Sequence, residues 1–338
     1  VQNPHPTAIF ETSTLFEIAS NTKVLTAIAL QVLVKLREMT LTQTIKDVVD
    51  SNITSKFVNQ DVGTITVLEL ATHTSGLQKL PNNLHGTPQN PFSYYTDEDL
   101  WGYLGNLTSL PTRGRFLYSN LAFGLLGRLL ELKMKESFES LLQRLILRPL
   151  AMYDSTVTVA GTNWSKVAPG CDLNGSFAER NTPYGVLKGQ GSVHSSARDM
   201  IRFLAVTLAV ATNNTHAIVP AITPSLTRAL KVVTQSLYPN DFPVEHGSVG
   251  LGWETYYANG RIVTWKSGST AGYGSFMAFD AASGRAAVAL SSCGTCADKA
   301  VDQLTRLLVD TPRMTPSPPP SSPPSPSPPS PSPSPPPP

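Results

Sequence analysis

Phe16-Glu17-Ile18-Ala19-Ser20-Asn21-Thr22-Lys23 leads directly into Val24–Leu36, a run that is apolar at almost every position. A helix apolar on all sides is a buried helix, so the run predicts a central helix over Val24–Glu38. Ser20 and Lys23 stand three apart at its start. Such positions share one helix face, and a first turn offers free N–H groups and the positive end of the helix dipole to an oxyanion or alkoxide. An isolated hydroxyl is a poor nucleophile, but a neighbouring Lys whose pKa burial has lowered can serve as its base. Ser20 is the candidate nucleophile and Lys23 the candidate base. On spacing alone, Ser-x-x-Lys also fits a helix-start Ser followed by a solvated Lys. No other Lys in the chain stands three residues after a Ser, and this one opens an apolar run.

Two further motifs supply partners. Tyr118-Ser119-Asn120 follows Gly114-Arg115-Phe116-Leu117 and precedes Phe123-Gly124-Leu125-Leu126-Gly127, an apolar helical pattern that fixes the Tyr against a core. A Tyr that has lost its proton can take one from a Ser hydroxyl and pass it to a leaving group, and a nearby amide can hold a substrate carbonyl. Tyr238-Pro239-Asn240 and Tyr257-Ala258-Asn259 share the Tyr-x-Asn spacing. The former lies in a polar loop, and Asn259-Gly260 in the latter reads as a two-residue hairpin turn. Tyr118 and Asn120 are therefore the candidates. Lys266-Ser267-Gly268-Ser269 ends a predicted strand. A cation there can stabilise a phenolate or bind a substrate carboxylate, and Gly268 leaves room for substrate to approach the strand backbone.

Around these motifs the chain reads as mixed helix and strand. Helical patterns cover Val24–Glu38, Thr66–Ala71, Asp97–Tyr103, Asn120–Glu131, Phe138–Leu147, Ala197–Ala209 and Ala297–Leu308. Strand patterns concentrate late, over Leu251–Tyr257, Ile262–Lys266, Gly274–Phe279 and Arg285–Ser291. This order predicts an α/β (α+β) fold: an antiparallel sheet flanked by helices, with an inserted helical subdomain over about 40–240. The folded domain is expected over residues 1–311. From Pro312 to Pro338 the chain is almost wholly Pro and Ser, which cannot build a core. As polyproline II it would extend on the order of 80 Å at about 3.1 Å per residue. Ser-Pro tracts of this kind resemble segments of plant and green-algal wall proteins, which points to an extracellular or wall-associated location; a plain linker is the other reading.

The 338 residues are 41% hydrophobic and 15% charged, enough for a substantial core. A formal net charge of +2 without Lys/Arg runs gives no footing for a nucleic-acid or membrane-surface partner. No apolar stretch reaches about 18 residues, so no transmembrane helix is expected. Cys293-Gly294-Thr295-Cys296 has C-x-x-C spacing, but no second pair or His cluster completes a metal site. It reads as a short disulfide or two free thiols, with Cys171 left over and the pairing open. Sequons at Asn52, Asn106, Asn163, Asn174 and Asn213 suit a secreted glycoprotein but are common by composition.

In their order, Ser-x-x-Lys, Tyr-x-Asn and Lys-Ser-Gly resemble the motifs of the penicillin-recognising serine hydrolases. More narrowly, the chain is similar to the group of class C β-lactamases, D-alanyl-D-alanine carboxypeptidases and related esterases. Segments similar to that group's pattern are Ile65-Thr66-Val67-Leu68 into His73-Thr74-Ser75-Gly76-Leu77, Arg148-Pro149-Leu150-Ala151-Met152, Gly191-Ser192-Val193 into Ser196-Ala197-Arg198-Asp199-Met200, and Gly250-Leu251-Gly252-Trp253. Together they span roughly residues 12–310. The resemblance implies a β-lactamase/transpeptidase-like fold and acyl transfer from an ester or amide through acyl-Ser20. Lys23 and Tyr118 would share the base role, Lys266 would hold the Tyr118 hydroxyl in its basic form, and Asn120 would orient the substrate. The N–H groups of Ser20 and Ser269 would form the oxyanion hole. Ser267, Gly268 and Ser269 would line the substrate, a small molecule or peptide, and no metal or organic cofactor is implied. His73 reads as structural, and Arg198 with Asp199 as a helix-start salt bridge and cap.

Two departures from the group stand out. Lys-Ser-Gly replaces the commoner Lys-Thr-Gly or His-x-Gly, keeping the hydroxyl at Ser267 and losing a methyl. Members of the group also carry two strands before Ser-x-x-Lys, whereas nineteen residues precede Ser20 here. The expectation is a piece of a longer protein whose sheet has an unpaired edge at Arg285–Ser291. A reading from another class is a non-catalytic binding module of an extracellular Pro-rich glycoprotein.

Overall fold

The apolar run after Ser20 forms α1 (Thr22–Lys35), and every residue from Thr22 to Leu33 is buried. A 3-10 turn, Ala19–Asn21, precedes it, so Ser20 sits just ahead of α1 and not within its first turn. The structure is a computed structural model that describes residues 10–87, 90–171, 184–214, 222–235, 237–239, 247–258 and 260–294. The helix expected over Ala297–Leu308 and the Pro/Ser segment from Pro312 lie outside the described residues.

The remaining helices are α2 (Ser51–Thr54), α3 (Val67–Ala71), α4 (Asp97–Gly105), α5 (Asn120–Met134), α6 (Phe138–Leu142), α7 (Ala197–Ala211) and α8 (Pro224–Val233). Their starts follow local chemistry. Thr66 with Glu69 and Thr96 with Asp99 form capping boxes at α3 and α4. Ser119, Ser137 and Ser196 accept N–H bonds at the starts of α5, α6 and α7. The pattern over Phe138–Leu147 divides into α6 and a π-helical turn, Gln143–Leu147. Helix α8 was not expected, although Thr223 as cap and Pro224 in the first turn are start signals.

The strands are β1 (Leu15–Glu17), β2 (His194–Ser196), β3 (Tyr238–Pro239), β4 (Ser248–Val249), β5 (Glu254–Ala258), β6 (Arg261–Ser269), β7 (Gly274–Asp280) and β8 (Arg285–Ser291). The last six form one antiparallel sheet in sequence order. Ala258 pairs with Arg261, the register of the expected two-residue turn. The strand expected from Leu251 begins at Glu254, because Gly252 has φ +80° and lies against the backbone of Lys23 and Val24. Among the described residues the sheet ends on β8, which is half-buried, while β7 is buried along its whole length.

Helix α1 packs between α5 and α8, and α7 packs on β7 and β8. Thus α7 and α8, although within the 40–240 span, lie beside the central helix and the sheet. Trp253 anchors this layer, stacked on Phe203 at 6.2 Å and edge-on to Phe279 at 5.5 Å. A second apolar cluster gathers Tyr256, Val263, Trp265, Phe276 and Ala278 on the sheet. The small sheet of β1 and β2 pairs Leu15 with Ser196 and Glu17 with His194. It ties the approach to Ser20 to the start of α7.

Candidate active site

The turn carrying Ser20 is held from both sides. Ile18 N–H donates to the Val193 carbonyl at 3.0 Å, and Val193 N–H donates to the Thr22 hydroxyl at 3.1 Å. Ala19 takes φ +46°, a left-handed conformation that costs a residue with a Cβ on the order of 1 kcal/mol or more. Strand β6 closes the other side. A Cβ at Gly268 would stand 2.4 Å from the Ile18 carbonyl oxygen and 2.8 Å from the Ser20 nitrogen. The absent side chain thus makes room for the Ser20 turn.

Lys23 is fully buried, and its Nζ donates to Ser20 Oγ at 2.9 Å, Asn120 Oδ1 at 2.8 Å and the Gln190 carbonyl at 2.8 Å. Asn120 is the first residue of α5, whose cap Ser119 donates its hydroxyl to the Gln78 carbonyl and accepts from Ala122 N–H. The Gln190 carbonyl comes from a 3-10 turn, Lys188–Gln190, that presses on α5. Thr26 Oγ1 donates to the Gly189 carbonyl at 2.7 Å, and a Cβ at Gly189 would meet the Phe123 carbonyl oxygen at 2.4 Å. Only glycine lets the turn approach this closely.

Tyr118 Oη donates to Ser20 Oγ at 2.8 Å. Its segment is strapped to the turn after α3: Gly114 N–H donates to the Thr74 carbonyl and Leu117 N–H to the His73 carbonyl, each at 2.8 Å. His73 Nδ1 accepts from Ser119 N–H at 3.0 Å, and its ring stacks on Tyr118 with centroids 4.5 Å apart. Burial, with the charges of Lys266 and Lys23, pushes the His73 pKa well down, so the ring is a neutral acceptor. Arg113 anchors the same segment to α3 through Glu69, at 2.7 Å and 3.0 Å. Of the other two Tyr-x-Asn candidates, Tyr257 is exposed on β5, and the backbone of Tyr238 pairs with Val249 in β3.

Lys266 on β6 is buried and places Nζ 4.7 Å from the Tyr118 ring centroid. Its Nζ donates to Glu254 Oε1 at 2.5 Å, and Glu254 is buried as well. Ser267 is half-buried next to it on the strand. Thr270 N–H donates to the Tyr273 carbonyl, so the alternation of an antiparallel ladder turns the Ser269 N–H away from β7. Strand β5 pairs with β6 only as far as Trp265, which leaves the Ser269 N–H on the side where the Ser20 turn lies. The Ser269 hydroxyl donates to the Gly294 carbonyl.

Two titratable groups are poised. Burial lowers the Lys23 pKa, Tyr118 raises it and Lys266 lowers it again, leaving it at about 8. Burial raises that of Tyr118, but the charges of Lys23 and then Lys266 bring it down to about 8. For Lys266, burial is outweighed by Glu254 and Tyr118, and its pKa is raised.

The site therefore unites Ser20, Lys23, Asn120, Tyr118, Lys266, Gly268 and the Ser269 backbone. Sequence reasoning missed two contributors. The Gln190 carbonyl has no side-chain signature. Glu254 stands opposite Trp265 by the register of Asn259-Gly260, and strand alternation puts Trp265 and Lys266 on opposite faces, so no sequence signal links Glu254 to that cation. No metal-binding cluster occurs among the described residues. Cys171 is a free thiol and Cys293 is disulfide-bonded; Cys296 lies outside the described residues. Arg198 pairs with Asp154 at the surface, and Asp199 accepts three bonds from Asp154 and Ser155.

An antiparallel sheet beside a buried helix, with Lys23 and Tyr118 meeting at the Ser20 hydroxyl and a strand-borne Lys266 against the Tyr118 ring, defines the β-lactamase/transpeptidase-like class. The family model "Beta-lactamase" matches residues 3–310, and the chain belongs to that family. It is 29% identical over 222 residues to the D-alanyl-D-alanine-carboxypeptidase/endopeptidase AmpH of Escherichia coli (strain K12), covering 63% of this chain and 54% of that protein. A Beta-lactamase of Pseudomonas fluorescens is 26% identical over 208 residues, with 52% of this chain and 54% of that protein covered. The chain thus spans about half the length of the curated relatives it matches. The fold is shared with the Beta-Lactamase/D-Alanine Carboxypeptidase of Pseudomonas syringae, at TM-score 0.72 and 22% identity over 88% of this chain and 85% of that one. It is shared also with a class C beta lactamase of Rhodobacter sphaeroides, at TM-score 0.71 and 19% identity over 88% and 87%.

Proposed function

We propose that the chain is a serine hydrolase that cleaves an ester or amide through a covalent acyl-Ser20 intermediate. The observation that carries this reading is the convergence of Tyr118 Oη and Lys23 Nζ on Ser20 Oγ, at 2.8 Å and 2.9 Å. A neutral amine has two hydrogens and one lone pair. Asn120 Oδ1 and the Gln190 carbonyl can only accept, so both hydrogens go to them and the lone pair faces the Ser20 hydroxyl. Deprotonated Lys23, or the Tyr118 phenolate, takes the Ser20 proton as Oγ attacks the carbonyl carbon. The same proton passes to the leaving group as the acyl bond breaks. Water then reverses the sequence to release the acid.

The N–H groups of Ser20 and Ser269 are the proposed donors to the carbonyl oxygen. Ser267, Gly268 and Asn120 are proposed to line the substrate. A β-lactam, a D-alanyl peptide or a small ester each fits this chemistry, and the carboxypeptidase and β-lactamase names of the relatives support the first two. We further propose that the protein works outside the cell or at its wall. The Pro/Ser segment and a disulfide at Cys293 support an oxidising compartment.

The test is covalent labelling of wild type and Ser20→Ala with a fluorescent penicillin and a fluorophosphonate. Label on folded wild type and none on the variant is the expected result. No label from either probe would favour the non-catalytic binding module, and label from the phosphonate alone would favour an esterase.

A further inference from the structure

Lys266 is a charged side chain in a place that resists charge. It is 2% exposed, and its neighbours from other elements are Lys23 on α1, neutral His73 after α3, Tyr118 ahead of α5 and Glu254 on β5. Lys23 repels it and burial disfavours its ammonium. Glu254 is the foremost group that opposes both, ahead of Tyr118. That carboxylate is itself 3% exposed, and its second oxygen has no hydrogen-bond partner among the described residues. Each member of the pair therefore depends on the other.

Resting on the hydrolase reading, we propose that Glu254 is a positioning residue of the reaction: its carboxylate keeps the Lys266 ammonium charged and seated against the Tyr118 ring, so that the phenol can act as a base. The argument is one of placement. Glu254 touches Lys266 and not Ser20, so it reaches the reaction chiefly through the cation; its direct charge effect on Lys23 ranks last among the influences there. With the carboxylate made neutral, the buried ammonium keeps the desolvation penalty and the repulsion of Lys23 with only Tyr118 left to offset them. It then gives up its proton in the working pH range. Tyr118 loses one of the two cations that hold its phenolate, and its pKa climbs. Lys23 loses a like-charged neighbour in the same event, but Lys266 ranks below burial and Tyr118 among the influences on Lys23.

The experiment measures kcat/KM against pH on a p-nitrophenyl ester for the full-chain wild type, Glu254→Gln and Glu254→Asp. Rates are normalised to the fraction that takes fluorophosphonate label. For Glu254→Gln the rising limb is expected to move to higher pH by about one unit, with a roughly tenfold lower kcat/KM at neutral pH. Glu254→Asp, which keeps the carboxylate, should recover most of that shift. Lys266→Met and Lys266→Met/Glu254→Gln, the latter free of any unpaired buried charge, should share one limb. An unmoved or lowered limb in Glu254→Gln, or a further shift in the double variant, would overturn the inference while the labelled wild type still stands. A wild type with neither label nor turnover would sink the hydrolase reading first, and the inference with it.

Discussion

The two sides of the site each bury a lysine against the same tyrosine, and they use it in opposite ways. On the helical side, Lys23 meets a hydroxyl, an amide oxygen and a backbone carbonyl, all neutral. None of these brings a negative charge, so burial dominates, opposed chiefly by Tyr118, and the pKa falls to about 8. On the strand side, Lys266 is equally sequestered but meets a carboxylate, and its pKa rises. The chemical identity of one acceptor decides whether a buried ammonium becomes a titrating base or a fixed charge.

The severest break in this comparison is Ser20→Ala, which removes the hydroxyl that both sides address. Ester turnover should fall on the order of 10⁴-fold or more, and the covalent label should vanish. Asn120→Asp tests the comparison itself by giving Lys23 a carboxylate like that of Lys266. A raised Lys23 pKa should carry the rising limb of kcat/KM above its wild-type position and lower the neutral-pH rate by roughly 100-fold. A limb that stayed in place would refute the role given to neutral acceptors. In the wild type the required forms are the deprotonated ones, so kcat/KM should rise with pH, with a midpoint near 8. A flat profile between about pH 6 and about pH 9 would remove Lys23 and Tyr118 as bases. The smallest change expected is His73→Phe, which keeps a ring beside Tyr118 and strips the acceptor from Ser119 N–H. Urea unfolding should show a loss of about 1–3 kcal/mol. The limb should move little, because His73 is neutral already.

Much of this was legible in the sequence, for reasons that can be named. Ser20 and Lys23 stood out because an all-apolar run can only be a buried helix, and Asn259-Gly260 gave the register of β5 and β6. Strands β1 and β2, three residues each, are too short for any periodicity to register. Helix α1 stops at Lys35, short of the expected Glu38, because Arg37 takes φ +63°, a left-handed turn that an Arg side chain does not announce. Gln190 was invisible because its contribution is a peptide oxygen, which every residue possesses. Glu254 was hidden by its surroundings. A single acid in Leu251–Tyr257 reads as a solvated strand face until the fold supplies a buried cation one position from its cross-strand partner.

Gly268 sets the scale of the whole arrangement. Where it passes the Ser20 turn, strand and turn approach to a separation that even one methyl group would occupy. The gap between the two proposed oxyanion donors is therefore gauged by the thickness of a bare backbone, with no side chain acting as a spacer. A gauge of that kind has no rotamer to relax. Loops around the mouth of the site can change their shape for different acyl groups while the working distance at the carbonyl oxygen stays the same.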